Sequence, residues 1–406
     1  MKEFVGKMKV LIIAFGQADN VICLSKALSN YVDVSLVFVT SGDRFSTSIF
    51  DWDISGLRHG LITEHEIVHK YIDEHVRRFL GKGVRVHLAR TPTMRILRDW
   101  RRKNLKCVRE IADFVKRENF DVIHFNGSSG FQIYLHWFLR DKPKVYTIHD
   151  YLPHSGEANL KSRYVNILLN KLYTKLDYEF IQHLQFLAER FSDFYGIDRE
   201  RVHTVYCGPL DIYTVYGSVR VKEEPDTILF FGRISPYKGV EYLIEAFGDV
   251  KKKRPGTKLI IAGNGSFWFD PKPPEGCEIY NRHIPNGELA RLIQRASLIV
   301  APYTDATFSA VIMTAYAFGK PVIASAVGGI PEIVHDGVTG RLVPARDSKV
   351  LADTIVEVLS DPGARGRFKE NIRNKFLRDV FSWNHIAEKT VAIYERAVNG
   401  KRVGRK

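Results

Sequence analysis

The stretch Ile228-Leu229-Phe230-Phe231-Gly232-Arg233-Ile234-Ser235-Pro236-Tyr237-Lys238-Gly239 decides how the second half of this chain folds. Its four apolar residues predict a short buried strand that ends at Gly232. Ser235-Pro236 then turns the chain, and the residues after Gly239 have helical spacing. Arg233 and Lys238 therefore lie in a loop at the carboxyl end of a strand, where open α/β sheets bind their ligands.

Arg233 and Lys238 together suit a diphosphate, because arginine offers a planar fork of donors and lysine a compact ammonium. An ordinary loop with two solvated cations would contain the same pair. For these two residues alone, the ordinary loop is the commoner explanation, so the rest of the chain has to decide.

Length and composition describe a soluble globular chain of 406 residues, long enough for two domains. The four cysteines are scattered and form no C-x-x-C pair, which argues against a disulfide framework or a thiolate metal site. The apolar run Val10–Phe15 is too short to span a membrane and predicts a first core strand. The net charge of +14 suits nucleic acid, an anionic membrane or phosphorylated substrates, but the chain contains no nucleic-acid-binding motif.

The first half alternates predicted strands with helical segments, which indicates a parallel sheet built from βαβ units. The predicted strands are Lys9–Phe15, Val32–Val39, Val84–Leu88, Asp121–Phe125 and Lys144–Ile148, with a helix over Asn20–Ser29. Residues 41–60 show no clear period and are expected to be loop. Three strands end in a small or polar signature, namely Gly16, Asn126-Gly127 and His149-Asp150, so these should share the ligand-binding edge.

The second half repeats the alternation, with predicted strands Thr227–Phe231, Lys258–Ala262, Glu278–Asn281, Leu298–Ala301 and Pro321–Ala324. We therefore expect two Rossmann-like α/β domains, residues 1–207 and 226–380, facing across a cleft. Residues 208–225 are strandless and turn-rich and are predicted to be the linker. A last helix, about Asn384–Val398 within residues 381–406, is expected to cross back to the first domain.

No G-x-G-x-x-G fingerprint follows a strand, because Trp268 stands where the third glycine after Gly263-Asn264-Gly265 should be. No G-x-x-x-x-G-K-[ST] motif is present either. A nicotinamide cofactor and a P-loop are therefore not expected.

Five motifs of the second half resemble, in the expected order, the retaining glycosyltransferases of family 4, which have the GT-B architecture. They are Phe231-Gly232-Arg233 with Lys238-Gly239, Ala262-Gly263-Asn264-Gly265, Asn281-Arg282-His283-Ile284-Pro285, the block Ala317–Ala324 with Gly328-Gly329-Ile330-Pro331-Glu332, and Asp336-Gly337-Val338-Thr339-Gly340. Each motif alone is weak, but all five in order across Thr227–Pro344 are specific. The first half matches more loosely, through Gly16 and Thr147-Ile148-His149-Asp150.

The resemblance implies an enzyme that transfers a sugar from a nucleotide-diphosphate donor with retention, using no other cofactor. It implies catalytic roles for Arg233, Lys238 and His149, the first two on the diphosphate and the third on the donor sugar. The implied donor-binding residues are Gly16, Gly232, Asn264, Ile284, Thr307, Ser309, Ala310 and Val311. No D-x-D-type cluster is placed to hold a metal, since the nearest, Asp51-Trp52-Asp53, is interpreted as surface.

One departure from the family pattern leaves a second function open. The family usually carries two glutamates eight positions apart that hold the transferred sugar and the ribose, and Ala306 and Thr314 occupy those positions here. A non-catalytic GT-B protein that binds a nucleotide or a glycan is therefore the alternative. Thr307 and Ser309 precede a helix predicted from Ala310 to Phe318, whose first N–H groups could bind phosphate, although Ser309 could simply cap the helix.

The acceptor side is less specified. Asp150, His154 and Glu157 follow the predicted fifth strand and could line it, although such loops are mostly solvated surface. The run Arg95–Arg109 holds seven cations against one acid and includes Arg98, Arg101, Arg102 and Lys106. It is either a solvated helix face or a contact for anionic lipid or a lipid-linked acceptor. We expect a cytoplasmic protein that acts on a glycan or lipid-linked acceptor and can attach to the inner face of the cell membrane.

Overall fold

The computed structural model describes residues 6–67, 70–92, 102–149, 160–217, 220–376 and 378–403. These residues form two compact units. The first unit contains the described residues up to 149 together with residues 162–206 and 383–403, and the second contains residues 160–161 and the described residues from 207 to 382. The candidate residues Arg98, Arg101, Asp150, His154 and Glu157 lie outside the described residues.

The first unit is built on an eight-stranded sheet. Its strands and helices run in the order β1 Lys9–Ala14, α1 Ala18–Leu28, β2 Asp33–Ser41, β3 Arg44–Ser46, β4 Asp51–Asp53, β5 Gly60–Ile62, α2 Glu64–Ile67, α3 Glu74–Leu80, β6 Val84–Thr91, α4 Arg102–Glu118, β7 Val122–Asn126, α5 Phe131–Phe138, β8 Lys144–Thr147, α6 Leu160–Thr174, β9 Glu179–Gln182, α7 Gln185–Tyr195 and β10 Val202–Thr204. The sheet order is β10-β9-β8-β7-β1-β2-β6-β5. All neighbours are parallel except β5 and β6.

The second unit is built on a six-stranded parallel sheet of order β13-β12-β11-β14-β15-β16. Its elements are β11 Thr227–Phe231, α8 Val240–Lys253, β12 Lys258–Gly263, β13 Cys277–Asn281, α9 Asn286–Arg295, β14 Leu298–Ala301, α10 Ala310–Ala317, β15 Val322–Ser325, α11 Ile330–Ile333, β16 Gly340–Val343, α12 Ser348–Ser360 and α13 Pro362–Asn371. The strand order reverses between β11 and β14, which is the point where doubly wound sheets open a ligand crevice.

The last helix, α14 Trp383–Val403, returns to the first unit as expected. There the Tyr394 hydroxyl lies 2.8 Å from His124 Nδ1, and His124 Nε2 lies 2.8 Å from Thr147 Oγ1. Burial lowers the pKa of His124 to about 3, with His183 adding to the effect. This neutral imidazole therefore ties α14 to β7 and β8 through two buried hydrogen bonds.

Residues 41–60, expected to be loop, contain the short antiparallel pair β3–β4 and lead into β5. Phe45 and Trp52 are the only buried side chains of the two three-residue strands, so no alternating pattern could reveal them. Their rings pack with Phe50 over β2 at centroid distances of 4.3 to 5.9 Å. β9, β10 and β16, also missing from the prediction, are three or four residues long.

The segment 208–225, predicted to be the linker, is instead part of the second unit. A 3₁₀ turn covers Asp211–Gly217, and Ile212 and Tyr213 within it are buried. Glu223 accepts hydrogen bonds from the ammonium groups of Lys320 and Lys369, at 2.7 Å each. A turn-rich composition is typical of a linker, but these tertiary contacts hold residues 208–225 against the domain that follows them.

Candidate active site

The loop after β11 holds the ammonium of Lys238 in a fixed place. Pro236–Lys238 forms one 3₁₀ turn, which Gly239 ends with a left-handed backbone at φ 65°. Lys238 is buried, with its Nζ atom 3.8 Å from the ring centroid of Tyr303 and 4.8 Å from that of Tyr237. Such cation–π contacts are attractive and directional. The ordinary solvated loop is therefore excluded for Lys238.

The loops after β11 and β14 are locked together at the switch point. The Thr304 amide donates to the Tyr237 carbonyl at 2.8 Å. A Cβ on Gly239 would clash with the carbonyl oxygen of Pro302, so only glycine allows this approach. Tyr303, which lies under the Lys238 ammonium, thereby belongs to the same rigid junction.

Arg233 follows the end of β11 and is exposed. Gly232, with φ 118°, donates its amide to the Ala262 carbonyl at 3.0 Å, and a Cβ on Gly263 would clash with the Gly232 carbonyl. Ile234 in turn donates to the carbonyl of Asn264 at 3.1 Å. This close approach of the two strand ends brings Asn264 beside Arg233.

The start of α10 lies against the same strand end, since a Cβ on Gly232 would be 3.2 Å from Val311 Cγ2. Ser309 is buried and accepts a hydrogen bond from the Ile312 amide at 3.3 Å. Its Oγ also lies 3.2 Å from the Tyr303 hydroxyl. Ser309 thus caps the helix and braces Tyr303, while Thr307 and Ala310 are half-buried beside it.

Neither residue at the usual glutamate positions presents a polar group to a ligand. Ala306 is buried, and a Cβ on Gly328 would clash with its carbonyl oxygen. Thr314 is buried too, and its hydroxyl donates back to the Ala310 carbonyl at 2.8 Å. Ala306 and Thr314 therefore contribute to packing. The charged side chains of the loop after β11, Arg233 and Lys238, are both cationic.

The segment after β13 is ordered by its own contacts. Asn281 Oδ1 accepts from the Gly265 amide at 3.1 Å, and Arg282 pairs with Glu288 at 2.6 Å. Ile284 is buried, so its side chain packs inside the unit. The structure thus brings Gly232, Arg233, Lys238, Asn264 and Val311 together and places Ile284 two strands along the same edge.

In the first unit the three predicted strand ends are neighbours, because β8, β7 and β1 are adjacent and parallel. His149 Nε2 donates to Asn126 Oδ1 at 2.8 Å. Burial lowers the pKa of His149 well below its usual value, and His183 and His124 lower it further. Gly16 leaves open space where a side chain would project. This edge therefore presents a neutral, oriented imidazole, suited to hydrogen bonding rather than to carrying charge.

His183, which no sequence motif singled out, has its ring centroid 4.9 Å from that of His149. His183 Nδ1 lies 3.0 Å from the carbonyl oxygen of Val205. It follows β9 directly, as His149 follows the end of β8. A histidine after a strand would have been a signal, but β9 itself is too short to be recognised from its pattern.

The basic run is described only from α4 onwards. Val108, Ile111 and Val115 are fully buried, so the apolar face of α4 packs inside the unit. Lys106 is exposed and lies 3.9 Å from Glu110, and α4 begins at Arg102. In the described part of the chain, no helix is long and apolar enough to cross a membrane. The same part contains no group of three or more potential metal-binding side chains.

Comparison with known proteins matches both halves of the chain. Residues 217–375 match the family model of glycosyl transferases group 1, and residues 68–209 match that of glycosyltransferase family 4. The chain belongs to the group 1 glycosyltransferases. The resemblance predicted from the five motifs is thereby confirmed.

Relatives of this group 1 glycosyltransferase include two curated proteins. An uncharacterised glycosyltransferase of Methanocaldococcus jannaschii is 35% identical over 191 residues, 45% of this chain and 47% of the relative. The D-inositol 3-phosphate glycosyltransferase of Mycolicibacterium smegmatis is 30% identical over 246 residues, 53% of this chain and 52% of the relative. The chain thus spans about half the length of these two relatives.

A solved structure supports the fold over nearly the full length. The Anabaena protein HepE, in complex with UDP and glucose, matches with a TM-score of 0.63 at 18% identity, covering 95% of this chain and 99% of HepE. At this identity the likeness concerns the fold alone. The predicted GT-B class, with two Rossmann-like domains, is confirmed.

Proposed function

We propose that this protein is a retaining, metal-independent glycosyltransferase that moves a sugar from a nucleotide-diphosphate donor to a glycan or lipid-linked acceptor in cell-surface polysaccharide or glycolipid synthesis. The buried ammonium of Lys238 at the switch point, with Arg233 on the same loop, carries the proposal. Burying a charged group costs free energy unless a partner compensates the charge. A phosphate group of the donor would compensate it here.

The chemistry follows from the leaving group. Transfer breaks the bond between C1 of the sugar and a diphosphate oxygen, so negative charge grows on the phosphate. Lys238 is already held against Tyr303 and needs no reorganisation to meet that charge. Arg233 can add two parallel hydrogen bonds to phosphate oxygens.

Retention requires the acceptor to attack from the face that the leaving group vacates. A phosphate oxygen of the donor then takes the acceptor proton, so no protein nucleophile is needed. His149, neutral and oriented by Asn126, contributes a hydrogen bond to the transferred sugar. Asp150, His154 and Glu157 are proposed to line the acceptor side.

The comparisons support a nucleotide-sugar donor. HepE binds UDP and glucose, and a relative is named a D-inositol 3-phosphate glycosyltransferase. A second function is favoured by Ala306 and Thr314: a GT-B protein without these carboxylates could bind a nucleotide or a glycan and transfer nothing.

A thermal-shift screen against UDP-, GDP- and ADP-sugars, followed by a hydrolysis assay on the best binder, separates the two. An enzyme should be stabilised by one donor and release its sugar. Binding without sugar release would favour the non-catalytic protein. No shift with any of these donors would contradict the enzyme and leave only a glycan-binding protein.

Side chains neutralise the leaving group in this mechanism, so a divalent metal is not required. We expect sugar release to continue unchanged in EDTA. Loss of activity in EDTA that magnesium or manganese restores would contradict metal independence.

The lipid-linked acceptor makes peripheral membrane attachment part of the proposal, through the basic run Arg95–Arg109. Each basic residue near an anionic surface contributes roughly 1 kcal/mol. High salt should release the protein, since charges are screened within about 8 Å at physiological ionic strength. Replacing Arg98, Arg101, Arg102 and Lys106 by glutamine should abolish sedimentation with anionic vesicles while circular dichroism stays unchanged. Sedimentation equal to that of the wild type would place the contact elsewhere.

A further inference from the structure

Two neighbouring helices of the first unit expose an unusual amount of apolar surface. Trp137 is 67% exposed, Tyr164 69% and Leu168 69%. Of the ten large apolar side chains exposed in the described part of the chain, six belong to α5 and α6. We call these six the α5–α6 surface: Trp137, Phe138, Tyr164, Val165, Leu168 and Leu172.

α6 is apolar on its buried side and also along a second, exposed stripe. Leu169 and Tyr173 are buried against the unit, and the Tyr173 hydroxyl donates to the Ser129 carbonyl at 2.7 Å. Tyr164, Leu168 and Leu172 recur every four residues and form one outer stripe. A helix at a water-exposed surface normally carries charged or polar residues on that side. The outer stripe therefore indicates a second contact beyond the fold.

The chain topology places both helices on one face of the sheet. α5 connects β7 to β8 and α6 connects β8 to β9, and the three strands are consecutive neighbours. Right-handed crossovers that step in the same direction lie on the same face. His136 of α5 also lies 2.9 Å, Nδ1 to hydroxyl oxygen, from Tyr178, four residues beyond α6. The two helices thus lie on the same face of the sheet.

The charged side chains of α6 itself are all positive. α6 contains no acidic residue, and Lys171 and Lys175 are exposed beside Leu172. A two-fold contact with a second copy would set the same patch, with the same cations, against itself. The net charge of +14 also opposes self-association. An anionic partner fits better.

We propose that the α5–α6 surface docks on an anionic lipid bilayer, with its apolar side chains entering the headgroup region. Tryptophan and tyrosine favour that zone because one end of each ring is apolar and the other can hydrogen-bond. Lysines beside the stripe keep their ammonium groups at the lipid phosphates while their stems lie along the apolar surface. An amphipathic helix that lies in the membrane plane binds through this combination of apolar area and cations.

This inference deepens the proposed function, on which it rests, by naming the surface that would bring the enzyme to a lipid-linked acceptor. It adds an apolar contact to the charge of Arg95–Arg109, and both contributions are needed for binding, so the loss of either should release the protein from vesicles. Vesicle binding is measured without any donor, so it can fail while sugar release succeeds, and the reverse.

Sedimentation with phosphatidylcholine vesicles, with and without about one third phosphatidylglycerol, tests the surface. The variant Trp137→Gln/Leu168→Gln/Leu172→Gln removes three outer side chains. The control Phe194→Gln/Val338→Gln/Val350→Gln removes three exposed apolar side chains from other places. A second variant, Lys171→Glu/Lys175→Glu, reverses charge and keeps the apolar stripe.

Wild type and control should partition to the anionic vesicles equally, and the triple α5–α6 variant should lose at least tenfold in partition coefficient. The lysine variant should lose anionic binding as well. Equal binding by the triple variant and wild type would overturn the proposal, and so would a wild type that ignores anionic vesicles. A wild type that is dimeric by light scattering, made monomeric by the triple variant and indifferent to vesicles, would assign the surface to self-association instead.

Discussion

At the scale of the residue, the ammonium of Lys238 is the feature that distinguishes this site from an ordinary loop. Its contacts with two aromatic rings and the close approach of Gly239 to Pro302 fix its position before any ligand arrives. A preorganised charge stabilises a growing negative charge without the cost of reorientation.

Loss of either cation should therefore reduce the chemical step. We expect Arg233→Ala and Lys238→Ala each to lower turnover by about 100-fold or more, the scale seen when one preorganised donor is removed. Lys252→Ala removes an exposed lysine on α8 and serves as the matched control. Steady-state sugar release measures the turnover of all three variants. Turnover within threefold of wild type in both site variants would contradict the catalytic roles of Arg233 and Lys238.

Gly239 is predicted to affect donor binding because it holds the Lys238 turn in place. Its φ of 65° and its contact with Pro302 leave no room for a methyl group, so Gly239→Ala must displace the Lys238 turn. We expect weaker donor binding and a free energy of unfolding lowered by about 1–3 kcal/mol. Gly256→Ala, where the added methyl group meets nothing, is the control. Donor titration and urea unfolding that show both variants alike would contradict this role.

At the scale of the element, α14 is the part of the first unit that comes from the far end of the chain. Its buried anchor is the hydrogen bond between Tyr394 and His124. A second, exposed hydrogen bond joins Glu388 of the same helix to the Tyr31 hydroxyl at 3.0 Å. One bond is buried and the other is exposed to water, so the two variants test the effect of burial.

Tyr394→Phe should lower the free energy of unfolding by about 1–3 kcal/mol, because it leaves a buried ring nitrogen of His124 without its partner. Tyr31→Phe should change it far less, since water replaces the lost bond to Glu388. Urea denaturation followed by circular dichroism measures both variants. A Tyr31 variant that is destabilised as much as the Tyr394 variant would show that burial is not the reason.

At the scale of the whole molecule, buried neutral histidines couple the stability of the first unit to pH. Burial lowers the pKa of His87 to about 4 and that of His124 to about 3. Both pKa values lie below the usual 6.5. At a pH between the lowered pKa and 6.5, the unfolded chain therefore binds more protons than the folded chain. This part of the stability is present above pH 6.5 and is lost as the pH falls towards 4.

We therefore expect the free energy of unfolding to fall between pH 7.5 and pH 5 by roughly 1–2 kcal/mol for each of these two histidines. His87→Phe removes one titrating group, so its stability should depend less steeply on pH even if the variant is less stable at pH 7.5. Urea unfolding across this pH range measures the slopes. An unchanged slope in the variant would contradict the contribution of His87.

Local patterns in the sequence are enough to predict the parallel α/β halves, the strand ends and the family. Four-residue apolar runs such as Ile228–Phe231 and a glycine at the strand end are visible in any window along the chain. The strands it missed are only three or four residues long and are held by neighbours from elsewhere. A pattern that short has no period.

Which charges are fixed and which surfaces are exposed depends on contacts between distant parts of the chain. The sequence shows a lysine at 238, but the rings under it come from residue 237 and from residue 303, 65 positions away. In the same way, periodicity suggests that an apolar helix such as α6 is buried, whereas packing covers Leu169 and Tyr173 and leaves Leu168 and Leu172 in water. Whether a residue is buried depends on which distant parts of the chain pack against it, so a local sequence pattern cannot reveal its burial.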